Sequence, residues 1–531
     1  MIFSSFFNRA CVQFRGTLLS HITLSKLGTE RTKYITAIRF HVWNSLHITL
    51  GGVYIGGGPG GRISYMALRM MGEDNVKIVM NEEPTIICSL PYGVGRKLVP
   101  QGPEALVVDL SKGERMPKDM PKDIVHGVVK ELDIASKKAY AEEADGQIEI
   151  SFEKLILATG AVPWIPPVSG VLREGTSSAT SDGKDTWVMY GNELVEKSKL
   201  APNVFVIRGA DDARRLDKFA SRGKSVVVVG SGAIGLEMTE ALHDRGLQVH
   251  IVEVLPHLSV ALDADLASLI EKRALERGVK AYIGVSVTDV TPEGVVLSDG
   301  STIKADGVLF ATGVRPNVAL AKACGLKMER GIVVDSHMRT SHPDVYAVGD
   351  AVQVVDAPTG RAILPLIGTL AMRQGLVAAS NITGMPAELP PVTIWGVSSF
   401  FDLHWASVGW SEEAANKAGI PVKTIALPVR TRDNAMPLGK DGYWKVVISK
   451  EKAVGLKEGQ IIGFQAVIEG DPVINLSERF LDIITAKESI SEILRHYFAH
   501  CPSQNAVDDP YLALFFNYQA TLASKSGPRP I

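Results

Sequence analysis

Residues 53–83 read VYIGGGPGGRISYMALRMMGEDNVKIVMNEE: an apolar run, a glycine-rich turn, a helical pattern and a second apolar run that ends in acids. The glycines at G-x-G-x-x-G spacing are Gly56, Gly58 and Gly61. In this context the first glycine permits a tight turn, the second lets the backbone approach a pyrophosphate, and the third brings the helix against the strand. The stretch therefore predicts a dinucleotide-binding βαβ unit in which Glu82 or Glu83 binds the ribose hydroxyls.

Residues 225–256, SVVVVGSGAIGLEMTEALHDRGLQVHIVEVLP, repeat the whole unit, with Gly230, Gly232 and Gly235 at the same spacing. The four valines fit a strand that is buried on both faces. The second strand ends at Glu253, whose carboxylate accepts hydrogen bonds from a free 2′-hydroxyl and repels a 2′-phosphate, which favours NADH over NADPH. Two units predict two bound nucleotides, and a decayed duplicate is the alternative for the second unit.

Shorter motifs follow each unit. LILATGAVP (155–163) and VLFATGVRP (308–316) both place Ala-Thr-Gly after an apolar strand, and DVYAVGDAVQV (344–354) ends a strand in Gly-Asp. The candidate cofactor contacts in these motifs are Ala158, Thr159, Gly160, Gly313, Gly349 and Asp350. A short acid at a strand end can bind a polyol chain, although Asp350 alone is equally consistent with a helix N-cap.

Composition narrows the class of protein. The chain has 531 residues, 46% of them hydrophobic and 21% charged, and a formal net charge of −2, so it offers no basic surface for nucleic acid. No uncharged apolar run approaches the roughly 20 residues that cross a bilayer. The four cysteines, Cys11, Cys88, Cys324 and Cys501, form no CxxC pair, which argues against a disulfide scaffold and against a metal site. A reducing compartment, the cytoplasm, fits this usage best.

The first fifty residues differ from the rest of the chain. Their one acid is Glu30, against six basic residues with interspersed serines and threonines, a composition typical of an organelle transit segment. A mis-assigned upstream start, a targeting segment and a genuine appendage all remain open. In none of these cases do we expect the segment to carry chemistry.

The ordered motifs resemble those of the flavin-dependent pyridine nucleotide disulfide oxidoreductases, and most closely the branch of coenzyme A disulfide reductase, NADH oxidase and NADH peroxidase. The motifs are the first GxGxxG, Cys88, the first ATG, the second GxGxxG followed by Glu237, the second ATG, the GD pair and MRQGLVAASNITG (372–384). The resemblance spans about 51–517. It implies an α/β fold with two Rossmann-like domains, for FAD and NADH, and an α+β C-terminal dimerisation domain that forms a homodimer.

The predicted domain order begins with the leader (1–50), which composition sets apart. The resemblance implies the rest: the first part of the FAD-binding domain (51–203), the NAD-binding domain (204–338), the second part of the FAD-binding domain (339–390) and the dimerisation domain (391–531). The stretch 169–203 is longer than the usual link between nucleotide domains, and we expect it either to cover the active site or to decorate the surface.

Cys88 lies in IICSLPYGVG (86–95), which matches the C-x-L-P-Y-x-x-G segment of this branch. From composition alone a buried inert thiol is favoured, because free cysteine is among the most buried residue types. The resemblance instead places the sulfur beside the flavin at a helix start, where we expect a lowered pKa and a nucleophilic thiolate. No second cysteine lies between Asn81 and Gly95, so Cys88 must cycle through a mixed disulfide or persulfide, or through sulfenic acid.

The C-terminal segment RHYFAHCPSQNAVDDP (495–510) aligns His500 with the proton donor that the partner subunit supplies in the family, and Tyr497 is the reserve candidate. A surface or interface histidine remains the alternative. Cys501 has either a packing role or a redox role with Cys88 of the other chain.

The predicted function is electron transfer from NADH through FAD and Cys88 to a small disulfide, persulfide or polysulfide. One alternative is an NADH oxidase or peroxidase that reduces oxygen or peroxide through a cysteine sulfenic acid. A second alternative is an NADH-responsive, redox-sensing flavoprotein. Recognition of coenzyme A is in doubt, because the first helix carries only Arg62 and Arg69 as basic residues.

Overall fold

A computed structural model describes most of the chain. The described residues are 47–110, 120–143, 146–173, 187–432, 437, 439–452, 455–470, 473–499 and 509–523. Most of the predicted leader lies outside them, and the first strand begins at His47, before the predicted domain start at Gly51. Within the described residues, no helix combines the length and apolar character needed to span a membrane.

The described strands, in chain order, are β1 (His47–Ile55), β2 (Val76–Met80), β3 (Ile124–Asp133), β4 (Lys138–Glu143), β5 (Gly146–Leu157), β6 (Ala161–Ile165), β7 (Trp187–Tyr190), β8 (Glu193–Glu196), β9 (Val204–Phe205), β10 (Ser225–Val229), β11 (Gln248–Glu253), β12 (Lys280–Ile283), β13 (Val287–Thr291), β14 (Gly294–Leu297), β15 (Thr302–Lys304), β16 (Gly307–Phe310), β17 (Val314–Pro316), β18 (Val345–Ala347), β19 (Val354–Val355), β20 (Ala362–Ile363), β21 (Trp395–Phe400), β22 (Leu403–Gly409), β23 (Val422–Arg430), β24 (Asp441–Ser449) and β25 (Ile461–Glu469). The described α-helices are α1 (Pro59–Met70), α2 (Leu90–Gly95), α3 (Ala210–Ala220), α4 (Ala233–Asp244), α5 (Ala264–Glu276), α6 (Ala319–Ala323), α7 (Gly368–Ile382), α8 (Glu412–Lys417), α9 (Ile474–Thr485) and α10 (Pro510–Ala523).

The first dinucleotide unit is built on parallel strands. β1 pairs with β2 on one side and with β5 on the other, β3 extends the sheet beyond β2, and β18 extends it beyond β5. β4 joins β3 and β5 in antiparallel register. Helices α1 and α7 pack closely, because Gly375 has no side chain where a Cβ would lie 2.5 Å from the carbonyl oxygen of Gly60.

The second unit repeats this arrangement. Its parallel sheet has the order β12-β11-β10-β16-β9, with β10 at its centre. The side chains of 226–229 are all buried, as predicted for a strand that is covered on both faces. The two parallel units confirm the predicted α/β class.

A small sheet with the order β17-β6-β7-β8 joins the two units, and its β7–β8 hairpin comes from the long stretch 169–203. Residues 174–186 of that stretch lie outside the described residues. Val171, Val188 and Leu200 are at most 1% exposed and pack in the core of the second unit. The described part of the stretch is therefore a packed hairpin, because its apolar side chains complete that core.

The C-terminal part is an antiparallel sheet with the order β21-β22-β25-β24-β23, packed against helices α9 and α10. Trp444, Phe464 and Phe480 form its aromatic core. Helix α8 lies between β22 and β23 in the chain. The same sheet contacts the second unit, where the buried ammonium of Lys445 lies 3.2 Å from the carboxylate of Asp263.

Candidate functional site

The first glycine motif forms a cradle at the start of α1. Gly56 has a φ of +123°, and a Cβ there would lie 2.1 Å from the carbonyl oxygen of Ala158. A Cβ on Gly61 would lie 2.1 Å from the carbonyl oxygen of Gly56, whereas no atom lies within 4 Å of a Cβ built on Gly58. Two glycines are thus required by the protein's own packing, and the middle one faces open space at a helix N-terminus, which suits an anionic ligand.

The second motif has the same geometry at the start of α4. A Cβ on Gly230, whose φ is +99°, would lie 2.6 Å from the carbonyl oxygen of Ala311, and one on Gly235 would lie 2.1 Å from that of Gly230. Again nothing lies within 4 Å of a Cβ on the middle glycine, Gly232. The two cradles therefore fit two dinucleotides, and the residues around each fit a pyrophosphate.

The ATG and GD motifs lie at the carboxyl edges of these sheets. Ala158, Thr159 and Gly160 follow β5, and Gly349 and Asp350 follow the adjacent strand β18. The second ATG, with Gly313, follows β16. Because carboxyl ends of parallel strands meet at one edge, the first ATG and the GD pair converge beside the first cradle.

Arg208 connects these motifs. Its Nη2 donates a hydrogen bond to Oδ2 of Asp350 at 3.2 Å, and its Nε donates to the carbonyl oxygen of Ala161 at 3.2 Å. The residue directly precedes the N-terminus of α3, where Asp212 accepts hydrogen bonds from the backbone N–H groups of Arg208 and Gly209. Arg208 was not predicted from the sequence. The pattern that could have identified it is a basic residue just before the start of a helix, at the junction of the two units.

The acids that end the second strand of each unit differ in their surroundings. Glu83 pairs with Arg214, which leaves the exposed Glu82 as the better candidate for ribose binding in the first unit. Glu253 is buried, and its Oε2 accepts hydrogen bonds from the backbone N–H and hydroxyl of Ser231 at 2.9 and 2.7 Å. Its Oε1 accepts one from the backbone N–H of Leu255 at 2.9 Å. Glu253 thus stabilises the second glycine turn. A hydrogen bond to a ribose would be additional to these three.

Cys88 lies in a short 3₁₀ turn, Ile87–Ser89, that leads directly into α2. Its side chain is exposed, so it is not an inert core thiol. A Cβ on Gly368, the first residue of the long helix α7, would lie 4.0 Å from the Sγ of Cys88. The sulfur is therefore beside the N-terminus of α7 as well as ahead of the six-residue α2.

The electrostatic surroundings of Cys88 correct one expectation. Desolvation on the protein-facing side, then the carboxylate of Glu237, raise the pKa of the Cys88 thiol, whereas we expected a lowered pKa. Arg208 acts in the opposite direction and lowers that pKa, and Asp350 raises it. The expectation was wrong because the fold desolvates the thiol and brings two carboxylates from distant parts of the chain towards it.

Glu237 is held by two hydroxyls from different parts of the fold. Its Oε1 accepts a hydrogen bond from the hydroxyl of Ser398 at 2.5 Å and another from Tyr92 at 3.4 Å. Burial raises the pKa of Glu237 to about 7, and burial together with Glu237 raises the pKa of Tyr92 to about 12. Ser398, on β21, was not predicted from the sequence, because no local pattern marks a serine on a strand as a partner of a distant acid.

The raised pKa of Glu237 predicts a pH-dependent stability. Folded Glu237 keeps its proton to about pH 7, whereas the unfolded chain loses it near 4.5, so the free energy of unfolding falls as pH rises through this window. We expect Glu237→Gln to remove this loss. Between pH 4.5 and 7.5 the free energy of unfolding of the variant should therefore rise by about 2 kcal/mol relative to that of wild type, a value reduced for the partial exposure of the side chain. Urea unfolding across this pH range, without nicotinamide nucleotide, measures the shift.

Glu451→Gln, a substitution of an exposed glutamate, is the matched control for this measurement. Its free energy of unfolding should change with pH as that of wild type does. If the curve of Glu237→Gln is also parallel to that of wild type, Glu237 is ionised in the folded protein and the argument fails.

The predicted proton donors are placed as follows. Tyr497 is 94% exposed, so within one chain its side chain makes little contact with the protein. His500 and Cys501 lie outside the described residues. Their predicted roles therefore stay predictions.

Known proteins show the same organisation. A family model described as pyridine nucleotide-disulphide oxidoreductase matches residues 53–373, and the model of its dimerisation domain matches residues 397–509. An NADH oxidase from Methanocaldococcus jannaschii is 31% identical over 474 residues, covering 86% of this chain and 96% of that relative. A CoA-dependent NAD(P)H sulfur oxidoreductase from Pyrococcus furiosus is 27% identical and covers 80% of this chain and 89% of that relative. An NAD-dependent persulfide reductase from A. fulgidus superposes with a TM-score of 0.77 at 27% identity, covering 90% of this chain and 84% of that structure.

Proposed function

Because this chain belongs to the pyridine nucleotide-disulphide oxidoreductase family, we propose that it passes electrons from NADH through FAD and Cys88 to a small disulfide, persulfide or polysulfide. The observation that carries the proposal is an exposed thiol in the turn before α2, with carboxylates and a guanidinium from both units around it. Relatives described as sulfur oxidoreductase and persulfide reductase support the choice of a sulfur acceptor.

FAD fits the first cradle and the nicotinamide nucleotide fits the second. Gly56, Gly58, Gly61, Glu82 and Asp350 would hold FAD, with Ala158, Thr159, Gly160 and Gly349 beside them. Gly230, Gly232, Gly235, Glu237, Glu253 and Gly313 would hold NADH. When bound, FAD supplies two-electron transfer between a reduced nicotinamide and sulfur. Val254 and Leu255, which follow Glu253, are 64% and 43% exposed and offer no cation to a 2′-phosphate, which supports NADH over NADPH.

Cys88 is the nucleophile in this proposal. Its thiolate forms a bond to one sulfur of the acceptor while the bond within the acceptor breaks, and the leaving thiolate takes a proton. Two electrons and one proton, the equivalent of the hydride of NADH, then cleave the bond between Cys88 and the acceptor sulfur, which restores the Cys88 thiolate and releases that sulfur as a thiol or hydrosulfide. Arg208 favours the thiolate in both steps, because it is the cation that lowers the pKa of Cys88.

We propose no coenzyme A site on α1. The Nη2 of Arg62 donates a hydrogen bond to the carbonyl oxygen of Thr85 at 3.4 Å, and Arg69 pairs with Asp74 at 2.9 Å. Both basic residues of α1 are thus already engaged by the protein.

The match to the dimerisation domain supports a homodimer. Tyr497 and Phe516 are 94% and 66% exposed, which suits residues that a second copy covers. A cytoplasmic location remains our proposal, on the cysteine usage alone.

A second candidate function is reduction of oxygen or peroxide, which the 31% identical NADH oxidase favours. The two functions differ in what reoxidises the NADH-reduced protein. We expect anaerobic stopped-flow mixing with polysulfide or a small disulfide to reoxidise the flavin on the timescale of turnover, and air-saturated buffer to do so far more slowly. Running the same assay with NADH and NADPH also tests nucleotide preference. Fast reoxidation by oxygen with none by any sulfur acceptor would establish the oxidase instead.

A further inference from the structure

The helix that follows Cys88 is built into the second nucleotide unit. Leu90 and Val94, on α2, are 1% and 0% exposed and pack with Leu216, Met238 and Leu242 in a core cluster of that unit. Cys88 therefore precedes a helix whose buried face belongs to the nicotinamide side of the molecule, although its place in the chain is within the first unit.

The C-terminal end of α2 packs directly against α4. A Cβ on Gly95 would lie 3.0 Å from the Cα of Ala241, so only glycine permits this approach without displacement. The next residue, Arg96, has a φ of +60° and ψ of 2°, a left-handed conformation that is unfavourable for a residue with a side chain. Such a residue persists only where its surroundings hold it, and these positions cluster at functional sites.

The Arg96 side chain shows what holds it. Its Nε and Nη2 donate two parallel hydrogen bonds to the carboxylate of Asp217, on α3, at 2.9 and 2.7 Å. Gly102 leaves room for this guanidinium, because a Cβ there would lie 3.0 Å from Nη2 of Arg96.

Arg245, which ends α4, completes the cluster. Its Nη1 donates to Oδ1 of Asp217 at 2.7 Å and to the carbonyl oxygen of Val94, on α2, at 2.7 Å. Asp217, on α3, thus links the C-terminal end of α2 to the C-terminal end of α4. Partly exposed ion pairs of this kind add little to global stability, whereas a bidentate pair fixes geometry.

We propose that Arg96, Asp217 and Arg245 are positioning residues for Cys88. They fix α2, the helix that follows Cys88, on the nicotinamide-binding unit, so that nucleotide binding to this unit affects the placement of Cys88. The inference rests on the proposed function of Cys88 and of the second unit. None of the three touches the reacting sulfur, and each acts through the helix.

The test is hydrogen exchange of the segment 86–98 in the flavin-loaded protein, with and without NAD⁺. In wild type we expect NAD⁺ to slow exchange in this segment. In Asp217→Asn and Arg96→Met we expect faster exchange that no longer responds to NAD⁺, because the helix end opens locally. Acceptor turnover should fall about tenfold or more through misplacement of the sulfur, and NAD⁺ should bind more weakly because the coupling is reciprocal, while the rate of flavin reduction at saturating NADH stays unchanged.

Arg96→Lys keeps the charge without the paired hydrogen bonds, so it should be intermediate, and it serves if the other variants do not fold. Arg339→Met removes a guanidinium from an exposed pair with Asp335 elsewhere and should behave as wild type. Wild-type exchange and an intact NAD⁺ response in all the Arg96 and Asp217 variants would overturn the proposal. That readout does not depend on sulfur chemistry, so it stays separate from any failure of Cys88 as the nucleophile.

Discussion

Cys88→Ser is expected to lower turnover with sulfur acceptors on the order of 1,000-fold or more, because the variant has no thiolate to form the mixed disulfide. Reduction of the flavin by NADH should persist, since that half of the reaction takes place without the sulfur. Stopped-flow measurement of flavin reduction, followed by steady-state assay with polysulfide and small disulfides, separates the two halves.

Cys324→Ser is the matched control, since it removes the other cysteine among the described residues. Cys324 is half-buried at the C-terminal end of α6, and its Sγ donates a hydrogen bond to the carbonyl oxygen of Leu320 at 3.0 Å, as expected of a packing residue. It should retain wild-type turnover. Near-wild-type sulfur reduction by Cys88→Ser would instead show that electrons reach the acceptor without passing through this sulfur.

The second large effect is expected at the two middle glycines. Gly58→Val places a branched side chain in open space that the protein itself does not fill, so the fold should survive while FAD affinity falls on the order of 100-fold. Gly232→Val should leave FAD bound and weaken NADH binding to a similar extent. Flavin absorbance of the purified protein and the NADH dependence of flavin reduction give the two readouts.

Each glycine variant is the control for the other. Gly61→Val differs from both, because a Cβ there meets a backbone oxygen at 2.1 Å, and it should lower thermal stability before any ligand is considered. If Gly58→Val keeps its flavin, or if Gly232→Val loses flavin instead of NADH affinity, the assignment of the two cradles is wrong.

The sequence alone determined the features that depend on neighbouring residues. Gly56 and Gly230 need positive φ values, and the middle glycines stand at a fixed distance from them, so each cradle is specified within about thirty residues. The resemblance of 86–95 to the family segment placed Cys88 at a helix start, and the sequence excluded a second cysteine between Asn81 and Gly95. Such features are readable because helix and strand geometry fix the positions of residues that are close along the chain.

The tertiary structure decided everything that depends on distance through space. Desolvation and then Glu237 raise the pKa of Cys88 and Arg208 opposes them, and both residues are more than a hundred positions away in the chain. Ser398 meets Glu237 across 161 positions, and Arg96 meets Asp217 across 121. Coulombic interaction and desolvation depend on spatial separation and burial, and no local pattern in the sequence records either of them.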